Sequence, residues 1–161
     1  MCNVVLALSH DARTLAIGSV DHGRVLIDLM TLQVRPLPVD DRRITHMEFS
    51  RDNRLLAVAS DNSTIRLVDR ASGDLVRMMR PPAPVKAMTL SPDARTLATA
   101  IAGGAVALWH TATGQQVVAF DNFPGEAIAI RFSHDGNALA AVVDVPEQTT
   151  SEIHVWSTET K

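Results

Sequence analysis

The sequence predicts an all-β fold made of four copies of one unit, and three observations predict it. A short turn recurs as Leu8-Ser9-His10-Asp11, Phe49-Ser50-Arg51-Asp52, Leu90-Ser91-Pro92-Asp93 and Phe132-Ser133-His134-Asp135, its serines 41, 41 and 42 residues apart. A closing strand keeps step with it: Ile27, Val68 and Trp109 each lie 18 residues after their serine, and Trp156 lies 23 after Ser133. A Leu-Ala pair holds the same place in every unit, at Leu15-Ala16, Leu56-Ala57, Leu97-Ala98 and Leu139-Ala140. A near-constant period of this length marks a repeat architecture, in which no unit can bury its hydrophobic face alone.

Taken in order, Asn3 to Ser9 is apolar enough for a first strand buried on both faces. Asp11 suits the following turn because its carboxylate can accept from the backbone ahead of it. Leu15, Ile17 and Ser19 alternate along a second strand, Asp21-His22-Gly23 turns it back, and Arg24 to Leu29 makes a third. Val34 to Pro38 is a poor strand, since each proline removes a ladder donor, and it belongs at an outer edge. The second unit reads as strands over Ile44 to Phe49, Leu55 to Ser60, Thr64 to Asp69 and Leu75 to Met79. The third reads Val85 to Leu90, Thr96 to Ala100, Ala105 to Trp109 and Gln116 to Phe120. The fourth reads Ala127 to Phe132, Ala138 to Val143 and Glu152 to Trp156, with five extra residues expected as a loop from Asp144 to Glu152. The recurring Leu and Ala are expected to face opposite neighbours, the small residue relieving crowding where inner strands converge.

The [FL]-S-x-D turns, the small-residue second strands and the third strands ending in an apolar or Trp residue plus a polar one resemble the WD40-repeat β-propeller family over essentially the whole chain. The repeats are degenerate. The opening Gly-His pair is absent, Ile27-Asp28 and Val68-Asp69 replace Trp-Asp, and Trp109 and Trp156 are followed by His110 and Ser157. Asp21 with Ser19, and Asn62 with Ser60, match members of the family's Asp-His-Ser-Trp hydrogen-bond set. The resemblance implies one propeller segment over residues 1–161, with repeats near 3–39, 44–80, 85–121 and 127–161. It implies about four four-stranded antiparallel blades, the last lacking its outer strand. Such a segment is expected to be part of a larger propeller, or to be completed by self-association.

Composition narrows the functional classes. The chain is 46% hydrophobic but only 4% aromatic, so Ala and Val carry much of the core, as suits closely stacked sheets. A net charge of −3 with mixed signs gives no global field for nucleic acid or an anionic membrane. Arg42-Arg43 follows Asp40-Asp41, which cancels most of its field. A lone Cys2, no basic segment before Val4 to Leu8 and no apolar run of membrane length make a cytoplasmic protein the expectation. Ser9-His10-Asp11 and Ser133-His134-Asp135 have the residue types of a hydrolytic triad but not its logic. Consecutive turn residues diverge, and the middle position is Arg51 or Pro92 elsewhere. The 6 histidines are scattered without ligand spacing, and Gly103-Gly104 lacks the lysine of a phosphate loop. No catalytic, cofactor or metal site is expected.

Propeller order puts the loops between second and third strands on one rim with those linking successive repeats. That rim collects Arg42, Arg43, Arg80, Phe123, Asp144 and Glu147 as candidate partner-binding residues. Phe123 either anchors a partner or plugs its own blade edge. The expected function is a non-enzymatic scaffold for another protein or a covalently linked domain. The alternative is a regulatory propeller segment of a larger enzyme (kinase, caspase-like protease or NTPase) whose catalytic groups lie outside this chain.

Overall fold

Each repeat turn is fixed by its serine. The hydroxyls of Ser9, Ser50, Ser91 and Ser133 donate to Oδ1 of Asp11, Asp52, Asp93 and Asp135, each at 2.6 Å. The serine Oγ atoms in turn accept the backbone N–H of Thr14, Leu55, Thr96 and Ala138, each at 2.9 Å. The chain reverses through a left-handed residue, Ala12 (φ 56°), Asn53 (61°), Ala94 (58°) or Gly136 (79°). Local hydrogen bonds thus place four identical hairpin turns before any long-range packing is invoked.

The computed structural model describes residues 4–19, 23–39, 43–121, 123–145 and 150–158. Its first blade is β1 (Val4–Leu8), β2 (Thr14–Ser19), β3 (Gly23–Asp28) and β4 (Val34–Pro36). The second is β5 (Ile44–Phe49), β6 (Leu55–Ser60), β7 (Thr64–Asp69) and β8 (Leu75–Met79). The third is β9 (Val85–Leu90), β10 (Thr96–Ile101), β11 (Val106–His110) and β12 (Gln116–Phe120). The fourth is β13 (Glu126–Phe132), β14 (Ala138–Val145) and β15 (Thr150–Ser157). Each sheet is antiparallel in chain order, with four strands in the first three blades and three in the last among the described residues. Pro36 lies on the edge strand β4, where its missing donor costs no ladder bond.

The expected long loop in the fourth repeat is corrected. Asp144 pairs with Ser151 and Val145 with Thr150, so β14 and β15 are eight residues each. Extra residues that continue a ladder satisfy their own backbone groups, which a loop would leave to solvent.

Three apolar clusters fill the seams between successive blades. Leu56, Val58 and Val68 of the second blade meet Ala16, Leu26 and Leu37 of the first. Ala57, Ala59 and Leu67, on the opposite face, meet Leu90, Leu97 and Trp109 of the third. Ala98 and Ala100 then meet Leu139, Ala141 and Val143 of the fourth. Leu and Ala therefore do face opposite neighbours, as the period-2 side-chain alternation of a strand requires. Gly18 allows one close approach, since a Cβ there would lie 2.7 Å from Ile44 Cδ1. No buried cluster joins the fourth blade to the first among the described residues. The outer face of the first blade leaves Leu6 59% exposed, and that of the fourth leaves Ile153 73% exposed.

Candidate interaction rim, channel and blade seams

The rim is built from the chain segments that open each inner strand. Arg43 immediately precedes β5, Arg80 follows β8, Phe123 lies between β12 and β13, and Asp144 pairs with Glu126 at the end of the β13–β14 hairpin. Repeat equivalence brings these four to one end of the arc; Arg42 and Glu147 lie outside the described residues, as does Asp21. Arg43, Arg80 and Asp144 are exposed, and the carbonyl of Arg43 accepts the N–H of Asp61 at 2.9 Å. Pro84 accepts from Ala102 in the same way at 2.9 Å, so the second turns of the second and third blades are tied to the inner strands beside them.

Phe123 is half-buried in the seam between the third and fourth blades. It stands edge-on to Trp156 at 5.5 Å and to His154 at 5.2 Å, while Phe120 stacks on Trp156 at 5.1 Å. Edge-to-face and stacked geometries at these separations are favourable for aromatic rings, so Phe123 does plug its seam. Glu126, unmarked by sequence reading, joins blades at the rim. It accepts the Gly103 N–H at 3.3 Å and pairs with Lys86 at 3.2 Å, and these contacts, the Gly103 N–H first, hold its carboxyl below the usual range. Gly125 is required beside it, because a Cβ there would run into the carbonyl oxygen of Asp144.

Inside the arc, the inner strands enclose a cavity of about 700 Å³ lined by His10, His46, Glu48, Lys86, Met88 and Arg131 among others. Burial pushes the Glu48 carboxyl up, opposed first by the Thr89 hydroxyl, which donates to it at 3.1 Å. Burial likewise pushes His46 down. Arg51 donates to the His134 carbonyl at 3.1 Å, with its guanidinium 2.9 Å from the imidazole Nε2. This contact ties the second blade's turn to the fourth's.

The turns after the third strands explain the Asp of repeats one and two. Asp28 Oδ1 accepts the N–H of Met30 and Thr31, and Asp69 Oδ1 those of Ala71 and Ser72, all at 2.9 Å. In the third repeat Trp109 Nε1 donates to Thr99 Oγ1 at 2.9 Å, both side chains being buried. The tryptophan's partner is thus two residues before the place occupied by Ser19 and Ser60 in the earlier repeats. Asn62 is exposed.

An arginine latch closes the first two seams. Arg35 of β4 pairs with Leu26 and donates to the carbonyls of Ala71 and, at 2.9 Å, Arg70. Arg77 of β8 pairs with Leu67 and its Nε donates to the Ala112 carbonyl at 2.6 Å. The outer strand of one blade thereby grips the turn of the next. At the equivalent position of β12, opposite Leu108, stands Val118. The equivalence is hidden in the sequence because β8 and β12 each carry a bulge, opposite Leu67/Val68 and Leu108/Trp109, that shifts the spacing by one residue.

Catalytic geometry does not emerge at the two triad-like turns. Their serines donate directly to the aspartates, and His10 and His134 are exposed beside them. Among the described residues no group of three or more His, Cys, Asp or Glu could hold a metal, and no helix is long and apolar enough to cross a membrane.

Comparison with known proteins agrees with this geometry. Residues 5–91, more than half of the chain, match the family model of the anaphase-promoting complex subunit 4 WD40 domain. The chain is 30% identical over 105 residues to the eukaryotic translation initiation factor 3 subunit I of Aspergillus terreus, covering 65% of this chain and 31% of that protein. It is 32% identical over 91 residues to the U3 small nucleolar RNA-associated protein 21 homolog of Schizosaccharomyces pombe, covering 56% of this chain and 10% of that one. It therefore spans a third or less of these curated relatives. Among solved structures it is similar to the Cps50 (Swd1) β-propeller domain of Myceliophteria thermophila, with TM-score 0.78 and 25% identity, covering 88% of this chain and 49% of that one. The computationally designed Ika4 protein shares the fold, with TM-score 0.77 and 18% identity, covering 96% of this chain and 91% of that one. A chain of Kuenenia stuttgartiensis hydrazine synthase shares it too, with TM-score 0.80 and 19% identity, covering 95% and 45%. With four sheets in propeller order, [FL]-S-x-D turns in every repeat and a family model matched over more than half its length, the chain belongs to the WD40-repeat β-propeller family.

Proposed function

We propose that this chain is a non-enzymatic interaction module of the cytoplasm, a propeller segment that engages protein partners through its rim and is itself completed by further blades, either of a larger protein or of a second copy. The observation that supports this reading is the pair of uncovered end faces. The first blade exposes the Leu-bearing face, with Leu6, Leu8, Leu15 and Ile27, that in blades two to four packs on the blade before. The fourth exposes the Ala140, Val142, Ile153 and Val155 face, the kind that elsewhere receives the blade after. Two halves of one seam are thus left open, and apolar faces of this kind mark association sites. Arg43, Arg80, Phe123 and Asp144, with Arg42 and Glu147, are the rim residues offered to other proteins.

Sedimentation velocity at micromolar concentration is the test of completion: self-association is expected, weakened by Leu6→Lys and Ile153→Lys. A stable monomer with protected amides in β1 and β15 would overturn it. For the rim, Arg43→Glu with Arg80→Glu should abolish capture of a specific partner without changing the melting temperature; catalytic turnover on a substrate panel with no such partner would favour an enzyme. The second reading, a regulatory segment of a larger enzyme, draws its support from the small share of its relatives' length that the chain spans.

A further inference from the structure

We infer that the cavity on the concave side of the arc binds a small organic dianion, with an apolar body and an anionic group at each end, held between Lys86 and Arg131. The site is separate from the rim and from the completion of the propeller.

Repeat register sorts the wall of this cavity into tiers. Two residues before the turn serines stand Ala7, Glu48, Thr89 and Arg131, and five before them stand Thr45, Lys86 and Ile128. All of these except Thr89 line the cavity. Between the tiers lie Met47, Met88 and Ile130, with Val5, Ala87 and Ala129 beside them. Three residues of strand span about 10 Å, so a cation at each tier brackets an apolar belt of about that height. A mostly apolar hollow with a few convergent polar groups is the usual make-up of a small-ligand site.

The tier that holds Lys86 is aimed by the backbone. β5 slips its register between Ile44 and His46, β9 between Val85 and Ala87, and β13 between Ala127 and Ala129. The residue left out of the ladder is Thr45, Lys86 or Ile128, whereas β1 pairs without a slip. A bulge of this kind redirects the side chain of its extra residue. Three successive inner strands thus use one device at one level, and it turns their side chains toward the cavity.

The charges set the chemistry of the ligand. Lys86 already seats one carboxylate, that of Glu126 at 3.2 Å, with the two side chains 44% and 46% exposed. An ammonium has three donors and an exposed pair is weak, so a ligand carboxylate joins or replaces Glu126 at small cost. Arg131 donates through Nη1 to the Ile130 carbonyl at 3.0 Å, which fixes its guanidinium on the wall. Among the described residues the lining holds one carboxyl, that of Glu48, against these two cations. Burial raises that carboxyl, and burial keeps His46 on the neutral side. Two anionic ends are therefore matched by two cations, and the belt between them calls for an apolar body.

The experiment titrates octanedioate, a linear chain with a carboxylate at each end, into the purified 161-residue chain. The methyl resonances of Met47 and Met88 are followed by NMR and are expected to shift saturably, with a Kd of about 1 mM or tighter. Octanoate, which satisfies one tier only, is expected to bind about tenfold more weakly, and the matching diol not to bind. Lys86→Gln and Arg131→Gln should each weaken octanedioate by about the same factor. Arg131→Lys should keep most of the binding, and Glu48→Gln, which removes the lining's own carboxyl, should tighten it. Lys86→Gln alters an exposed side chain, so it reads the site even where Arg131→Gln fails to fold. Arg43→Glu with Arg80→Glu should leave octanedioate binding unchanged, which separates failure at the rim from failure here. The inference is overturned by absence of saturable shifts, by octanoate binding as tightly as octanedioate, or by indifference to Lys86→Gln.

Discussion

The N–H of Leu32 donates to the carbonyl of Asp28 at 2.7 Å while Leu32 itself sits at φ 57°. Gly73 and Gly114 occupy the same turn position in the next two blades, bonded to Asp69 and His110 in the same way. A left-handed conformation costs a residue with a Cβ about 1–2 kcal/mol, and Leu32 is 73% exposed, so its side chain repays little of that through packing. Leu32→Gly is expected to raise stability by about 0.5–1 kcal/mol, less than the full strain because glycine loosens the unfolded chain. Urea denaturation of the two proteins measures it.

Thr99→Val keeps the volume of a fully buried side chain and removes the acceptor of the Trp109 Nε1–H. A buried donor without a partner costs about 1–3 kcal/mol. The loss should appear as a lower denaturation midpoint, and Thr99→Ser should recover most of it.

Acid should weaken the turns. The Ser9 hydroxyl first, and then Arg70 and the Arg13 N–H, hold the Asp11 carboxyl down at about 2 from an ordinary 3.8. Asp93 and Asp135 are lowered as well, each chiefly by its serine. A depressed carboxylate contributes its stability above the unfolded value and loses it as pH falls through the folded one. The melting temperature is therefore expected to drop between about pH 4 and pH 2, and Asp11→Asn to flatten that limb.

Glu48 has the opposite sign. Burial raises its carboxyl, so the folded chain holds this proton more tightly than the unfolded chain does, and ionisation above the ordinary range opposes folding. Glu48→Gln should increase stability at neutral pH and leave it nearly unchanged near pH 4. An unchanged difference across that range would exclude the buried charge as the cause.

What the sequence revealed depended on how local the physics was. The four serine turns and most strand positions were legible because the hydrogen bonds that make them span at most five residues. Leu97, read as a core residue, is fully buried, and Leu97→Ala is expected to cost roughly 2–5 kcal/mol. The hairpin of β14 and β15 was misread as a loop because its extension depends on cross-strand pairing of Asp144 and Val145, which no alternation over two residues can signal. The arginine latches were missed for the same reason in stronger form. Arg35 and Arg77 look like ordinary outer-strand residues, their partners are backbone carbonyls with no sequence identity, and the bulges displace them from a common spacing. For Phe123 the sequence named both roles, and the ring contacts with His154 and Trp156 bring out the packing one, which depends on residues more than 30 positions away.

The latches also give the arc a mechanical direction. Each runs from the outer strand of one blade forward to the next, so tension applied to the second or third blade is shared with the one behind it through a charged side chain clasping backbone. Among the described residues the fourth blade has no such latch; the apolar seam, the contacts of Glu126 with Lys86 and the Gly103 N–H, and the contact from Arg51 to His134 hold it. Under load the molecule has a designated point of release at its C-terminal end, and detachment there leaves three blades still bolted together.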